Sequence, residues 1–318
     1  MNVVNNLFDV PHERLRAIKE DISRLSLEAA RQKINFLKKQ YPHHGEVARE
    51  LDVVLFLEEA FRVPHSPTEL FNTFRALVKL FQDINYTPEY FRSLEVRFFE
   101  KIIECYRDNP VEPIYGYPPG YLFLKAEKYD QAHESFTREI ENPSLPEKKR
   151  ARFLGYLADL YSVMGDSESA RKHYRNAILT DWQGIDKKAI VDEEVSALIQ
   201  GTYIPEAPGN GWAVSAGHMF MVFPRWEFTN PDDIAAFYKK FTQLRDLKEG
   251  EEKEEKAPVL FYYAMIISEN EYLFRTLKGL NKMDLRKLMR SQNPPLFRLY
   301  TKLSIKTGES ENPEPMSE

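Results

Sequence analysis

Along most of the 318 residues, apolar positions recur at steps of three and four, the period of a helix with one buried stripe. Within 11–40 the stripe runs through Leu15, Ile18, Ile22, Leu25, Ala29, Phe36 and Leu37. It predicts one long helix, with Pro11 tolerated in its first turn and Tyr41-Pro42 closing it. A second helix is expected over about 45–62, carried by Leu51, Val54, Leu55, Leu57 and Phe61. Helix starts are written at Ser66-Pro67-Thr68-Glu69 and at Thr87-Pro88-Glu89, the latter helix running to about Asp108. Two-residue alternation with β-branched enrichment is nearly absent and glycines number 13, so the fold is expected to be all-α. Short connections make consecutive helices antiparallel neighbours.

The rhythm breaks in a few places. Residues 109–120, NPVEPIYGYPPG, carry four prolines and two glycines and read as an ordered loop or a hinge. A helix near 186–200 is followed by the turn-rich GTYIPEAPGNG. The charge run KEGEEKEEK at 248–256 reads as a solvated, mobile loop, and 307–318 as a disordered tail. The expected sections are therefore 1–110, 111–184, 185–306 and the tail 307–318.

LADLYSVMGDSESARKHYRNAIL, residues 157–179, holds a Gly165-Asp166 turn between two amphipathic runs. Leu154, Leu157, Ala158 and Tyr161 stripe the first run, and Ala170, Tyr174 and Ala177 the second. Small residues at 158 and 170 allow two backbones to approach closely, while the aromatic residues fill the wedge to the next hairpin. The spacing returns upstream in Gly120, Phe123, Lys128-Tyr129-Asp130-Gln131-Ala132 and Phe136. Departures occur at Pro119 and Glu139, and the two copies are offset by 38 residues instead of the usual ~34. Across 117–181 this arrangement resembles the tetratricopeptide repeat, an α-solenoid unit. Two such hairpins cannot bury both faces alone, so flanking helices must cap them.

The resemblance implies a concave groove lined by the first helix of each hairpin. Its candidate partner-binding residues are Tyr117, Tyr121, Leu124 and Lys125 from the first copy, and Arg152, Tyr156, Asp159 and Ser162 from the second. Aromatic rings with a few cations suit a recognition surface. The Lys/Asn clamp that some members of the family close on a peptide carboxylate is absent, since two of its places hold tyrosine. Packing of these tyrosines against the N-terminal helices is the alternative.

Composition narrows the function classes. A net charge of −5 argues against broad nucleic-acid binding. The single cysteine, Cys105, excludes an intramolecular disulfide framework and fits a reducing, cytoplasmic setting; its helical context predicts a packed thiol. No signal peptide is visible, and the longest apolar run, PVLFYYAMIIS at 258–268, is too short to span a bilayer. Asp130 and His133 share a helical face, but no Glu-x-x-His occurs among the seven histidines, and neither metal nor cofactor is expected. Glu100 and Glu104, beside Arg97, Lys101 and Arg107, read as a surface charge network rather than an acid–base pair. PGNGWAVSAGHMFMVFPRW, 208–226, holds Ser215 and His218 without the Gly-x-Ser-x-Gly of a nucleophile elbow, and is expected to form a hydrophobic helix. Lys282, Arg286, Lys287, Arg290, Arg298, Lys302 and Lys306 face only Asp284, a basic stretch that could meet an acidic partner or the chain's own acidic runs. The reading these features favour is a scaffold or adaptor holding a protein or peptide segment in the tyrosine-lined groove. The alternative is an enzyme or enzyme regulator with a small-molecule site near 208–226. Self-association is left open.

Overall fold

The computed structural model describes residues 9–62, 65–82, 88–107, 109–202, 210–275 and 281–306. It is all-helical: sixteen α-helices and no strand occur among the described residues, where one isolated bridge joins Ile114 and Tyr117. The tail at 307–318 and most of GTYIPEAPGNG lie outside them. The chain divides into two compact units, Met1–Ser135 and Phe136–Glu318.

The first unit begins with α1 (Asp9–Ser23), α2 (Leu27–Gln40), α3 (Gly45–Phe61), α4 (Pro67–Gln82), α5 (Pro88–Glu104) and α6 (Pro119–Lys125). The single helix expected over 11–40 is instead a hairpin of α1 on α2, broken where Leu25 takes φ +55°. The pattern already contained the reason. Ile18 and Ile22 are buried, but beyond the turn the stripe resumes at Ala30, Ile34 and Leu37, while Ala29 and Phe36 are exposed. The phase slips by one residue, which a continuous helix cannot absorb without turning its apolar face outward. The start of α4 is a capping box: the Ser66 amide donates to Glu69 Oε2 at 2.7 Å and the Glu69 amide to Ser66 Oγ at 3.3 Å. Phe74, Phe98 and Phe99 pack as a buried aromatic cluster, with Phe74 and Phe99 edge-on at 5.0 Å. Cys105 lies just past the end of α5 and is exposed rather than packed, because the helix stops before the buried stripe of Leu94, Phe98 and Ile102 can reach it. Its thiol donates to the Lys101 carbonyl at 3.2 Å. Arg97–Glu100 and Lys101–Glu104 each pair at 2.6 Å, the expected surface network.

α7 (Tyr129–Glu141) carries the boundary between units. The second unit continues with α8 (Glu147–Val163), α9 (Ser167–Asp181), α10 (Glu193–Gln200), α11 (Ala213–Met219), α12 (Pro231–Arg245), α13 (Glu251–Glu269), α14 (Glu271–Phe274), α15 (Lys282–Gln292) and α16 (Pro294–Lys306). The helix pair α8/α9 has the most extensive packing in the chain. Ala158, Ala170, Tyr174 and Ala177 are fully buried, and Gly165 takes the φ of +83° that their tight turn requires. Two expectations fail here. The helix predicted over 186–200 begins only at Glu193, after a turn at 187–189 and the Asp192 cap, whose side chain accepts from the Glu194 and Val195 amides. The acidic run is not a loop throughout, because α13 starts at Glu251. Glu251, Glu252 and Glu254 in its first turn favour the positive helix terminus. The apolar run 258–268 is wholly buried in α13 and forms the centre of this unit's core.

Candidate functional site

The first-copy residues lie in the first unit. The Asn109–Pro118 stretch reverses through Tyr115 and Gly116, both in the left-handed region, and is closed by the mutual backbone bonds of Ile114 and Tyr117. This turn delivers Tyr115 to the surface at 58% exposure and lays Tyr117 against Tyr121 on α6, stacked at 4.5 Å. Phe71 of α4 backs both Tyr115 and Tyr117, at 5.9 and 5.6 Å. Asn72 donates to the Tyr115 hydroxyl at 2.9 Å, and Arg75 sits 6.0 Å from that ring. Lys125 lies 5.7 Å from the Tyr121 ring and pairs with Glu95 at 3.1 Å. Tyr117, Tyr121 and Lys125 are thus half-buried and adjacent, whereas Leu124 is buried. Sequence reasoning missed Tyr115 as a member; its signal was the Tyr-Gly-Tyr inside the proline-rich stretch.

The second-copy residues have a different fate. On α8, Tyr156 and Asp159 are buried, and Arg152 and Ser162 half-buried. What lies on them is the chain's own segment 182–192. Arg152 Nε reaches the Gly184 carbonyl at 3.4 Å, and the Tyr156 hydroxyl donates to Asp186 at 3.1 Å. Asp159 accepts from the Val191 amide at 3.0 Å and from the Tyr174 hydroxyl. Burial and the Asp159 charge push the Tyr174 phenol far above its usual range. Gly184 approaches α8 so closely that a Cβ there would stand 2.2 Å from the Lys148 carbonyl oxygen. The groove face expected of α8 is therefore filled in cis.

The 208–226 segment forms a 3-10 turn at Asn210–Trp212 and then α11, the hydrophobic helix expected there, packed against α10 and α13. Gly217 permits the chain to double back, since a Cβ would meet the Phe223 ring at 2.3 Å. At the end of α11, His218 Nε2 lies 2.8 Å from Glu269 Oε2 of α13. The pair borders a cavity of about 130 Å³, with Arg225, Trp226, Asn270 and Ser304 also in its walls. Glu269 stands 51 residues from His218, so nothing local in the sequence joins them. Ser215 is fully buried with no hydrogen bond to its Oγ, and His218 Nδ1 is likewise buried without one.

Among the described residues no three His, Cys, Asp or Glu side chains are grouped to hold a metal, and no helix is long and apolar enough to cross a membrane. No family model, curated protein or solved structure matches the chain.

Proposed function

We propose that the protein is a cytoplasmic interaction scaffold that holds a segment of a partner protein on the shelf formed by Tyr115, Tyr117, Tyr121 and Lys125. The observation carrying this reading is the stacked Tyr117–Tyr121 pair extended by a 58%-exposed Tyr115. Rigid rings with a polar tip and a neighbouring cation bury large area at low rotamer cost. The reading moves the binding surface away from α8, whose inward face is occupied by 182–192. It also keeps the tetratricopeptide-like reading, which the buried alanines and the Gly165 turn support for the α8/α9 hairpin. The lone cysteine supports the compartment.

Site-specific photo-cross-linking tests it. A benzophenone side chain at position 115 or 121 should give the same adduct in the source cell, and Lys125→Glu should weaken it. The same probe at Tyr272, an exposed tyrosine of the other unit, should give none of that adduct. If positions 115 and 121 yield nothing beyond the Tyr272 control, the shelf is not a docking surface.

One observation favours a second reading, a small-molecule site of an enzyme or enzyme regulator: the cavity beside His218–Glu269. An imidazole held by a carboxylate, with its other nitrogen uncommitted, suits proton transfer. A ligand screen by thermal stabilisation, with hits lost in His218→Gln, tests that reading.

A further inference from the structure

Arg175 sits in the middle of α9, 4% exposed. Its Nη1 donates to the Pro224 carbonyl at 2.7 Å, and its guanidinium stacks on Trp226 at 4.5 Å. Its Nε has no hydrogen-bond partner, and no carboxylate lies within ion-pair distance of it among the described residues. The Tyr262 and Tyr263 phenols face the guanidinium, and both keep their protons, Tyr263 pushed up to about 12, because burial outweighs the favourable pull of Arg175. Neither can serve as the counter-charge. Burying a cation with a carbonyl, a ring and two neutral phenols for company is costly, and an anion would complete it.

Arg175 lines a cavity of about 500 Å³ between α9, residues 224–229 and α12, a volume typical of small-molecule sites (roughly 300–1,000 Å³). This cavity lies across Trp226 and Arg225 from the His218 cavity, both residues bordering each of the two. Its apolar wall is Trp226, Phe237 and Tyr263. Around the rim, Lys172 and Arg225 are opposed by Glu168 and Glu227, and Asp233 is held by Thr229 and Asn230. With three rim carboxylates against two rim cations, a dianion gains nothing beyond what the one buried cation offers, and an aromatic wall rewards an apolar body.

We infer that this cavity binds a small monocarboxylic acid, its carboxylate on the Arg175 guanidinium and its apolar body against Trp226, Phe237 and Tyr263. The site is independent of the tyrosine shelf, which belongs to the other unit, and needs no chemistry at His218.

The test follows the Arg175 Nε–H resonance of the full chain during titration with hydrocinnamate, with hydrocinnamamide and inorganic phosphate as parallel arms. The expected result is a saturable downfield shift with hydrocinnamate, none with the neutral amide and a weaker response to phosphate. Arg225→Ala and Lys172→Ala, both exposed, should weaken binding by up to about fivefold. Arg175→Gln should weaken it by about tenfold or more, and the wild-type arms decide the matter if that variant fails to fold. Absence of a shift up to the solubility limit of hydrocinnamate overturns the inference, as does an equal shift with the amide. An equal response to phosphate overturns the carboxylate assignment. Much tighter binding of a tripeptide ending in phenylalanine would make the pocket a peptide-terminus site and overturn the small-molecule one.

Discussion

The two copies of the hairpin pattern start from the same grammar and end with opposite surfaces. On α6 the candidate positions Tyr121 and Lys125 stay half-exposed, joined by Tyr115 and Tyr117 from the preceding turn. On α8 the candidate groove residues Arg152, Tyr156 and Asp159, the last equivalent to Tyr121, are bonded to the chain's own 182–192 segment. The resemblance to a repeat implies only which side chains point inward. What then covers them is decided by the next stretch of chain. Gly184 lets the segment touch the α8 backbone, and Asp186 and the Val191 amide supply partners for Tyr156 and Asp159. A groove inferred from repeat spacing alone is thus a statement about direction, and accessibility is a separate question.

The sharpest way to break the contrast is Gly184→Ala. Its Cβ would lie 2.2 Å from a backbone oxygen, so the segment must lift from α8, at a cost of about 3 kcal/mol in chemical denaturation. Gly116→Ala in the first unit is the control. Nothing lies within 4 Å of its Cβ, and only the φ of +82° is strained, a cost of about 1 kcal/mol. Equal effects would show that 182–192 is not held on α8 as described. Next in size is Asp159→Ala, which removes the Asp159 acceptor of the Tyr174 hydroxyl and weakens the anchoring of the Val191 amide, about 2 kcal/mol. Native-state hydrogen exchange at Val191 should accelerate in parallel; unchanged protection there would separate the bond from the docking.

Much of this was legible beforehand, for identifiable reasons. Cap chemistry is local, so Ser66-Pro67-Thr68-Glu69 marks α4 where it begins. The Ala158/Ala170 crossing was readable because small residues at fixed spacing have few other uses. The break at Leu25 was missed because one-residue phase slips look like ordinary gaps in a stripe. The charges of the 248–256 run suggest a loop, whereas acids at a helix start stabilise one. Tyr156 and Asp159 looked like groove residues because their polarity is equally suited to a partner in trans or in cis. Only the fold reveals that Asp186 and Val191 arrive first.

A smaller effect contrasts the buried carboxylates of the two units. Glu50 in α3 is 1% exposed, beside Lys19 at 3.6 Å and accepting from the Tyr90 hydroxyl at 3.0 Å. Burial raises its pKa above 4.5, with Lys19 and Tyr90 opposing that rise incompletely. The folded state therefore holds the proton more tightly than the unfolded chain. This contribution favours folding below about pH 4.5 and is lost as pH rises through the higher folded value. Glu50→Gln keeps an acceptor for Tyr90 and should be neutral to stabilising by about 1 kcal/mol at pH 7, with that pH dependence removed. A loss of stability at pH 7 would mean that the Lys19 pair outweighs desolvation.

The smallest stability effect belongs to the residue on which the proposed function most depends. Tyr115 is 58% exposed, accepts one hydrogen bond from Asn72 and lies tilted against Phe71. Tyr115→Ala should therefore cost no more than about 0.5–1 kcal/mol, the range of exposed sites with a single polar contact. Against that small change, the cross-link formed from position 121 should fall several-fold if the ring is an anchor, because hot-spot aromatics lose far more in binding than in folding when truncated. A large loss of stability with the cross-link intact would make Tyr115 a packing residue of the first unit. The open face of α6 would then be no more available to a partner than the filled face of α8.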